Sequence, residues 1–388
     1  MRNKMRGGYF VAQDEICCSR SSSGRASRSS LPSLYRNSTA LLPWILCAGL
    51  TFAAGAAQAG DSLPTNGQYV AGQGTIAGSS KSLTINQTSS QGVINWQGFS
   101  VGAGNSVHFN NGSGSTLNRV TGADISHING QLSATGSLYL INPQGIVIGP
   151  GGKVITSGSF VASTRDIADS AFMSGGSLSA SGSSNGSVVN AGTITSQNGD
   201  AILVGRSVNN SGKISAPNGS AKLATGDQIL LQPVNGDPRI AVSGGTGDVT
   251  NSGTIAAAQV QLSSAGGNVY AIAGNNGGLV SATGTKTIDG HVWLTAGGTT
   301  EISGTVSAAN ADGSGGAVTV RGTNIIVSGA IDASASAANA KGGDISLIAT
   351  ADTKATGKIK AVGGVGGQGG AIETSGNTLS FDGVGIEA

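Results

Sequence analysis

Downstream of residue 60 the chain is written in short runs in which apolar and polar residues alternate, separated by Gly, Asn and Ser. Three of them, VTVRG from Val318, ISLIA from Ile345 and IETSG from Ile372, each follow a Gly-Gly pair. These pairs begin at Gly315, Gly342 and Gly369, 27 residues apart both times. Alternation puts every second side chain on one side of a strand, so each run predicts a strand with one buried side. A second set of phrases interleaves: NAGTI at Asn190, NSGKI at Asn210, NSGTI at Asn251, ISGTV at Ile302 and VSGAI at Val327. The Asn-headed copies are 20 and 41 residues apart, which reads as one period and then two.

A unit of 20 to 27 residues with two or three short strands between tight turns has the size of one coil of a parallel β-helix. Inward side chains of one coil stack on those of the next, about 4.8 Å away. Val, Ile, Leu and Ala fit that narrow interior and most aromatic rings do not, in keeping with an aromatic content of 4%. About 330 residues after the first 59, at about 22 per coil, predict about 15 coils and a rod about 70 Å long. Gly makes up 66 of the 388 residues, a richness shared with disordered chains. Those, however, carry high charge and few β-branched residues, whereas only 10% of this chain is charged and Val, Ile and Thr are dense. Collagen is excluded by the lack of a Gly-X-Y period, and a membrane β-barrel is disfavoured by strands without aromatic girdles.

Residues 1 to 59 differ in kind. Arg20, Arg25, Arg28 and Arg36 lie in a Ser-rich segment, followed by the apolar run ALLPWILCAGLTFAAGAA and then Ala57-Gln58-Ala59. A basic part, an apolar part and an A-x-A site make a secretory signal peptide, here with a long basic part, cleaved after Ala59. A membrane anchor fits less well, because the run contains Pro43 and ends in small residues. The residues before Leu31 add no recognisable signal, and a misassigned start codon would account for them. Cleavage leaves 14 Lys and Arg against 17 Asp and Glu, a formal charge of −3, so the positive balance of the whole chain belongs to the leader. A nucleic-acid partner thereby loses its electrostatic support. Cys17, Cys18 and Cys47, the three cysteines, fall in the leader too. Exported proteins commonly use disulfides. Two explanations for their absence stay open: a chain kept extended to thread a second membrane, or a repetitive β fold that needs no staple.

The stretch LYLINPQGIVIGPGG, Leu138 to Gly152, sets two aliphatic runs around Asn142-Pro143-Gln144-Gly145. Asn suits the first position of a type I turn, Pro presets φ at the second, and Gly is favoured at the fourth. An open β-helix end is an aggregation-prone edge that needs covering. The less regular region from Gly60 to about Ala180, with Trp96, Phe99, Phe109, Tyr139 and Phe160, is expected to be the capping start of the rod. At the other end TLSFDGVGIEA stops within a repeat, as a fragment or truncated product would.

Taken together, VINWQGFSVGAGNSVHFNNG (Val93 to Gly112), LNRVTGADISHINGQLSATGSLYLINPQGIVIGPGG (Leu117 to Gly152) and SGSFVASTRDI (Ser157 to Ile167) resemble a known family. It is the secretion domain of two-partner-secreted, filamentous-haemagglutinin-like exoproteins, and within it the branch of high-molecular-weight adhesins. The resemblance runs in order from about residue 64 to 175. The family's usual tetrapeptide is Asn-Pro-Asn-Gly, and Gln144 departs from it while keeping the turn chemistry. The Asn-Pro-Asn-Leu of the filamentous-haemagglutinin branch is absent, which fits the other branch.

The resemblance implies an all-β fold, a right-handed parallel β-helix (solenoid) with an N-terminal cap. The expected division is a signal peptide over 1–59, a secretion domain over 60–305 and a shaft of repeats over 306–388. It further implies passage through the general secretory translocon, capture by a partner outer-membrane β-barrel transporter, and coil-by-coil folding at the cell surface. The product would be secreted or surface-exposed. Asn142, Pro143, Gln144 and Gly145 would belong to the domain needed for export, either as a transporter contact or as a purely structural turn. Asn95, Trp96, Phe99, Asn118, Arg119 and Val120 would belong to the secretion-domain cap.

Other chemistry finds little support in the residues. β-Helical polysaccharide lyases and hydrolases need a carboxylate cluster on one face, often with calcium. Here the acids are scattered, and Arg165-Asp166 with Asp169 fits a local ion pair as well. No enzyme activity is expected, and no cofactor. His108, His127 and His291 lack metal-ligand spacing. Trp96 is expected to pack in the cap, while Trp293 is either a plug at a strand end or an exposed contact that a glycan could stack on. The sequons at Asn86 and Asn218 are of a kind that this composition produces by chance. An adhesin with a host-cell receptor or glycan is thus the leading expectation. Haem- or haemopexin-binding and contact-dependent toxin exoproteins of the same family, or a β-helical polysaccharide-degrading enzyme, are the alternatives.

Overall fold

The computed structural model describes residues 62–231, 238–274 and 278–388, so the expected signal peptide, with Ala57 and Ala59, lies outside the described residues. The strands stack in parallel on three sides of a β-helix. One side runs from Gln91–Trp96 through Ser137–Ile141 and His291–Ala296 to Ala371–Ser375, and a second from Ser82–Gln87 to Gly385–Glu387. These two merge into one 23-stranded sheet because Lys213–Thr225 and Thr254–Ser264 run through both. The third side is a ten-stranded sheet from Ser126–Ile128 to Thr378–Ser380.

Alternation decides which side chains enter the core. Leu262, Leu294, Val320 and Leu347 are register partners on successive rungs, and all are fully buried. At about 25 cal/mol per Å² of apolar surface, such columns supply the bulk of the cohesion. The Asn-headed phrases form a column of their own. Asn190, Asn210 and Asn251 are buried, and their amides chain from one rung to the next at 2.7 and 2.6 Å.

The 41-residue step is a single coil, not two. Asn210 pairs directly with Asn251, and Phe160 likewise pairs with Ala201. The extra residues leave the rod in two excursions. The first carries Asp166–Ile167, the helix Asp169–Ser174 and Ser179–Ser181, and the second carries Gln228–Leu230 and Ala241–Ser243. Together their strands form an antiparallel four-stranded sheet outside the coil. For this reason, and because later coils lengthen to 28 residues between Ala330 and Lys358, the third side has ten rungs among the described residues instead of about 15. Ten rungs span about 45 Å.

Capping takes fewer residues than expected. Gln68–Ala71 and Gly74–Gly78 lie antiparallel on the first strands of the coil, and parallel pairing begins with Ser82–Gln87. Trp96, 1% exposed, fills the end of the coil. Gly67 lies so close to its ring that a Cβ there would overlap the indole. Phe99, Phe109 and Phe160 are interior residues of the first rungs.

Candidate functional site

Asn142-Pro143-Gln144-Gly145 turns the corner between the strands Ser137–Ile141 and Ile146–Ile148. The Gly145 N–H donates to the Asn142 carbonyl at 3.1 Å, which closes the four-residue turn that the residue types predict. The four residues have unlike fates. Asn142 is fully buried and Gly145 is buried, whereas Pro143 and Gln144 are exposed. The Asn142 amide donates to the Asp124 carbonyl and to Ser126 Oγ, each at 2.9 Å, and its Oδ1 accepts the Gln144 N–H at 2.9 Å. One side chain thus binds the rung below and shapes its own turn. Gly145 holds φ at +132°, a region that side chains rarely adopt.

On the other side of the turn lies the end of the first excursion. Ser184 Oγ donates to the Pro143 carbonyl and accepts the Gly186 N–H. Gly186 is pressed onto the turn so closely that a Cβ would overlap the Pro143 carbonyl. Ser184 is held by Arg165, whose Nη1 donates to the Ser184 carbonyl at 2.6 Å. The Arg165 side chain is 1% exposed; its Nε donates to the Gly226 carbonyl at 2.7 Å and its Nη2 lies 3.4 Å from Asp227. The expected local pairing of Arg165 with Asp166 and Asp169 is therefore corrected. Those two acids pair with Arg119, at 2.9 and 2.7 Å, because the excursion folds back over the strand Ser115–Val120.

The residues expected in the cap divide into an inward group and an outward pair. Trp96 Nε1 donates to Asn118 Oδ1 at 2.9 Å, and the Asn118 amide donates to the Tyr139 carbonyl at 3.2 Å. Phe99 meets Trp96 edge to face at 5.4 Å, and Val120 is buried in the same cluster. Asn95 and Arg119 face outward. Arg119 Nη1 reaches Asn95 at 3.5 Å and Nη2 donates to the Ile167 carbonyl at 2.7 Å, so Arg119 clasps the excursion instead of filling the coil.

Sequence reasoning missed Ser184, the second excursion and a second apolar core outside the coil. In that core Val93, Leu117, Ile141, Val161 and Val204 meet Ile167, Phe172, Ile229 and Ile240. A signal existed for the core: the strand Ala201–Gly205, AILVG, is apolar at every position and buried at every position, the mark of a strand covered on both faces. Ser184 carried no signal, since its partner lies 41 residues away.

Elsewhere the described residues offer little chemistry. No group of three His, Cys, Asp or Glu among them is placed to hold a metal ion. Trp293 is neither a plug nor at a strand end. It faces outward in the middle of His291–Ala296 and stacks on His291 at 3.9 Å. A surface cavity of about 320 Å³ lies beside His291, bordered by Asp289, Asn310, Lys341 and Asp344. His108 Nδ1 lies 2.8 Å from Ser133 Oγ on the outer side of the second stack.

Comparison with known proteins agrees with this architecture. The crystal structure of the HMW1 secretion domain from Haemophilus influenzae superposes with a TM-score of 0.68 at 25% identity, over 84% of this chain and 98% of that one. Two curated Haemophilus influenzae proteins named heme/hemopexin-binding protein are similar as well. One is 29% identical over 227 residues, 53% of this chain and 24% of the relative, and the other is 35% identical over 122 residues, 30% and 13%. The chain thus spans about a quarter or less of the curated relatives it matches. The family model of the TPS secretion domain matches residues 57–308, which take in the cap, both excursions and the Asn142 turn, and the chain belongs to that family.

Proposed function

We propose that this chain is the export-directing part of a secreted or surface-exposed adhesin, and that its Asn142–Gly145 turn is read by a partner outer-membrane β-barrel transporter. The carrying observation is the division of labour in the turn. Asn142 and Gly145 are spent on structure, while Pro143 and Gln144 are presented to solvent on a corner of a domain that matches the secretion family. The general secretory translocon would deliver the chain to the periplasm. No catalytic step is proposed.

A second reading is haem or haemopexin binding, favoured by the names of both curated relatives. One experiment addresses export first: the chain is produced with and without its transporter, and protein in medium and periplasm is quantified. Transporter-dependent release, lost on Pro143→Ala with Gln144→Ala, supports the proposal; equal release without the transporter refutes it. Binding of haemin and of haemopexin by the released protein, set against its adhesion to host cells, separates the two readings.

A further inference from the structure

Arg165 is the second-largest fully buried side chain of the described residues, and export as described above leaves it unused. A buried guanidinium persists only when its donors are met. Its partners are revealing: the Ser184 carbonyl from the first excursion, and the Gly226 carbonyl and Asp227 from the second. Arg165 is the point where both excursions are tied to the corner that carries the Asn142 turn. Ser163, two residues earlier, accepts the Asn142 N–H through its carbonyl, and Ser163 Oγ donates to the Arg165 carbonyl at 2.7 Å. From the Arg165 guanidinium the chain of contacts runs to the Ser184 backbone, through Ser184 Oγ, to the Pro143 carbonyl.

We propose that Ser184 and Arg165 are positioning residues of the transporter-facing turn: Ser184 fixes the Pro143 carbonyl and thereby the directions of Pro143 and Gln144, and Arg165 holds Ser184 in place. This rests on the reading of the turn as a transporter contact. The inner half of the turn is set by Asp124 and Ser126, which precede it in the chain. The outer half is set by residues that follow, the farthest being Asp227, 62 residues beyond Arg165. A stretch of that length can extend about 200 Å. The presented form of the turn therefore exists only after both excursions have docked, and recognition of that form follows their folding.

The test uses the chain after leader removal and the purified partner transporter in detergent, with affinity and the thermal unfolding midpoint measured together. Ser184→Ala is expected to weaken binding about fivefold, the worth of one hydrogen bond, with little change in the midpoint, and Ser184→Thr is expected to restore it. Arg165→Lys, which keeps the charge but not the fork, should weaken binding further. Wild-type affinity for Ser184→Ala, in a preparation where Gln144→Ala loses binding, overturns the proposal while leaving the turn as the contact. Wild-type affinity for both Pro143→Ala and Gln144→Ala overturns the contact itself and this inference with it.

Discussion

Asn142 shows how a single amide can serve two levels of structure. Its Nδ2 donates twice to the rung below and its Oδ1 accepts from the Gln144 N–H of its own turn. Asn142→Asp removes both donors and buries a charge, and is expected to cost about 3 kcal/mol or more in denaturant unfolding. Gln144→Asn, at an exposed position, should stay within about 0.5 kcal/mol of the parent. His291 tests a different term. Burial, helped by Arg239, pushes its imidazole down to about 4. Unfolded, the ring titrates near 6.5, so protons bind the unfolded chain more tightly than the folded one. Its stabilisation is complete above about pH 6.5 and is lost as pH falls toward 4. Because the ring is partly exposed, solvent trims the size of the effect. His291→Gln should flatten this part of the curve of stability against pH; identical slopes in the two proteins would contradict the assignment.

At the level of elements, the amide column and the outer sheet obey different rules. Asn210 gives its amide to Asn251 and accepts from Asn190, so Asn210→Ala leaves a donor on one neighbour and an acceptor on the other without a partner. A loss of about 2 to 3 kcal/mol is expected in chemical unfolding. The outer sheet depends on apolar burial instead. Phe172 is 2% exposed and meets Tyr139 edge to face at 5.1 Å. Phe172→Ala should cost about 3 kcal/mol. The loss should be seen first as faster amide exchange over residues 166–181 while the rungs exchange as before, since the excursion can open on its own. Uniformly faster exchange across the rungs would show instead that coil and excursion open together.

Over the whole rod, each rung touches chiefly the one before and the one after, so stability accumulates by nearest-neighbour stacking. Rungs held only by such contacts can come apart one at a time and be threaded as an extended strand, provided no covalent bond closes a loop. All three cysteines precede residue 60. Thr195 and Ser215 are register partners that face outward on adjacent rungs, about 4.8 Å apart by sheet geometry and within disulfide reach. The pair Thr195→Cys with Ser215→Cys is expected to form a disulfide in the periplasm and to lower release into the medium. Release should return when a reductant is added during expression. Undiminished release of the oxidised protein would mean that the chain does not need to pass extended.

Local pattern was enough for the strands, the parallel coil and the closed turn at Asn142, because alternation, glycine spacing and turn residues each act over a few neighbours. The Asn column was visible as a repeated phrase before its hydrogen bonds were known. The meaning of the 41-residue step was not, because spacing counts residues and cannot tell two coils from one coil with an excursion. Pairing between Asn210 and Asn251 decides it. Partner choice at longer range was equally hidden. Arg119 takes Asp166 and Asp169, Arg165 takes Asp227, and Ser184 takes Pro143, since charge and hydroxyl groups in a sequence state what can bind but not what folding brings near. The amino-acid order by itself thus determined the repeating coil and its turn. The tertiary structure alone decided that two excursions, packed on the outside of that coil and tied to it by a buried arginine, hold the turn in the form it presents.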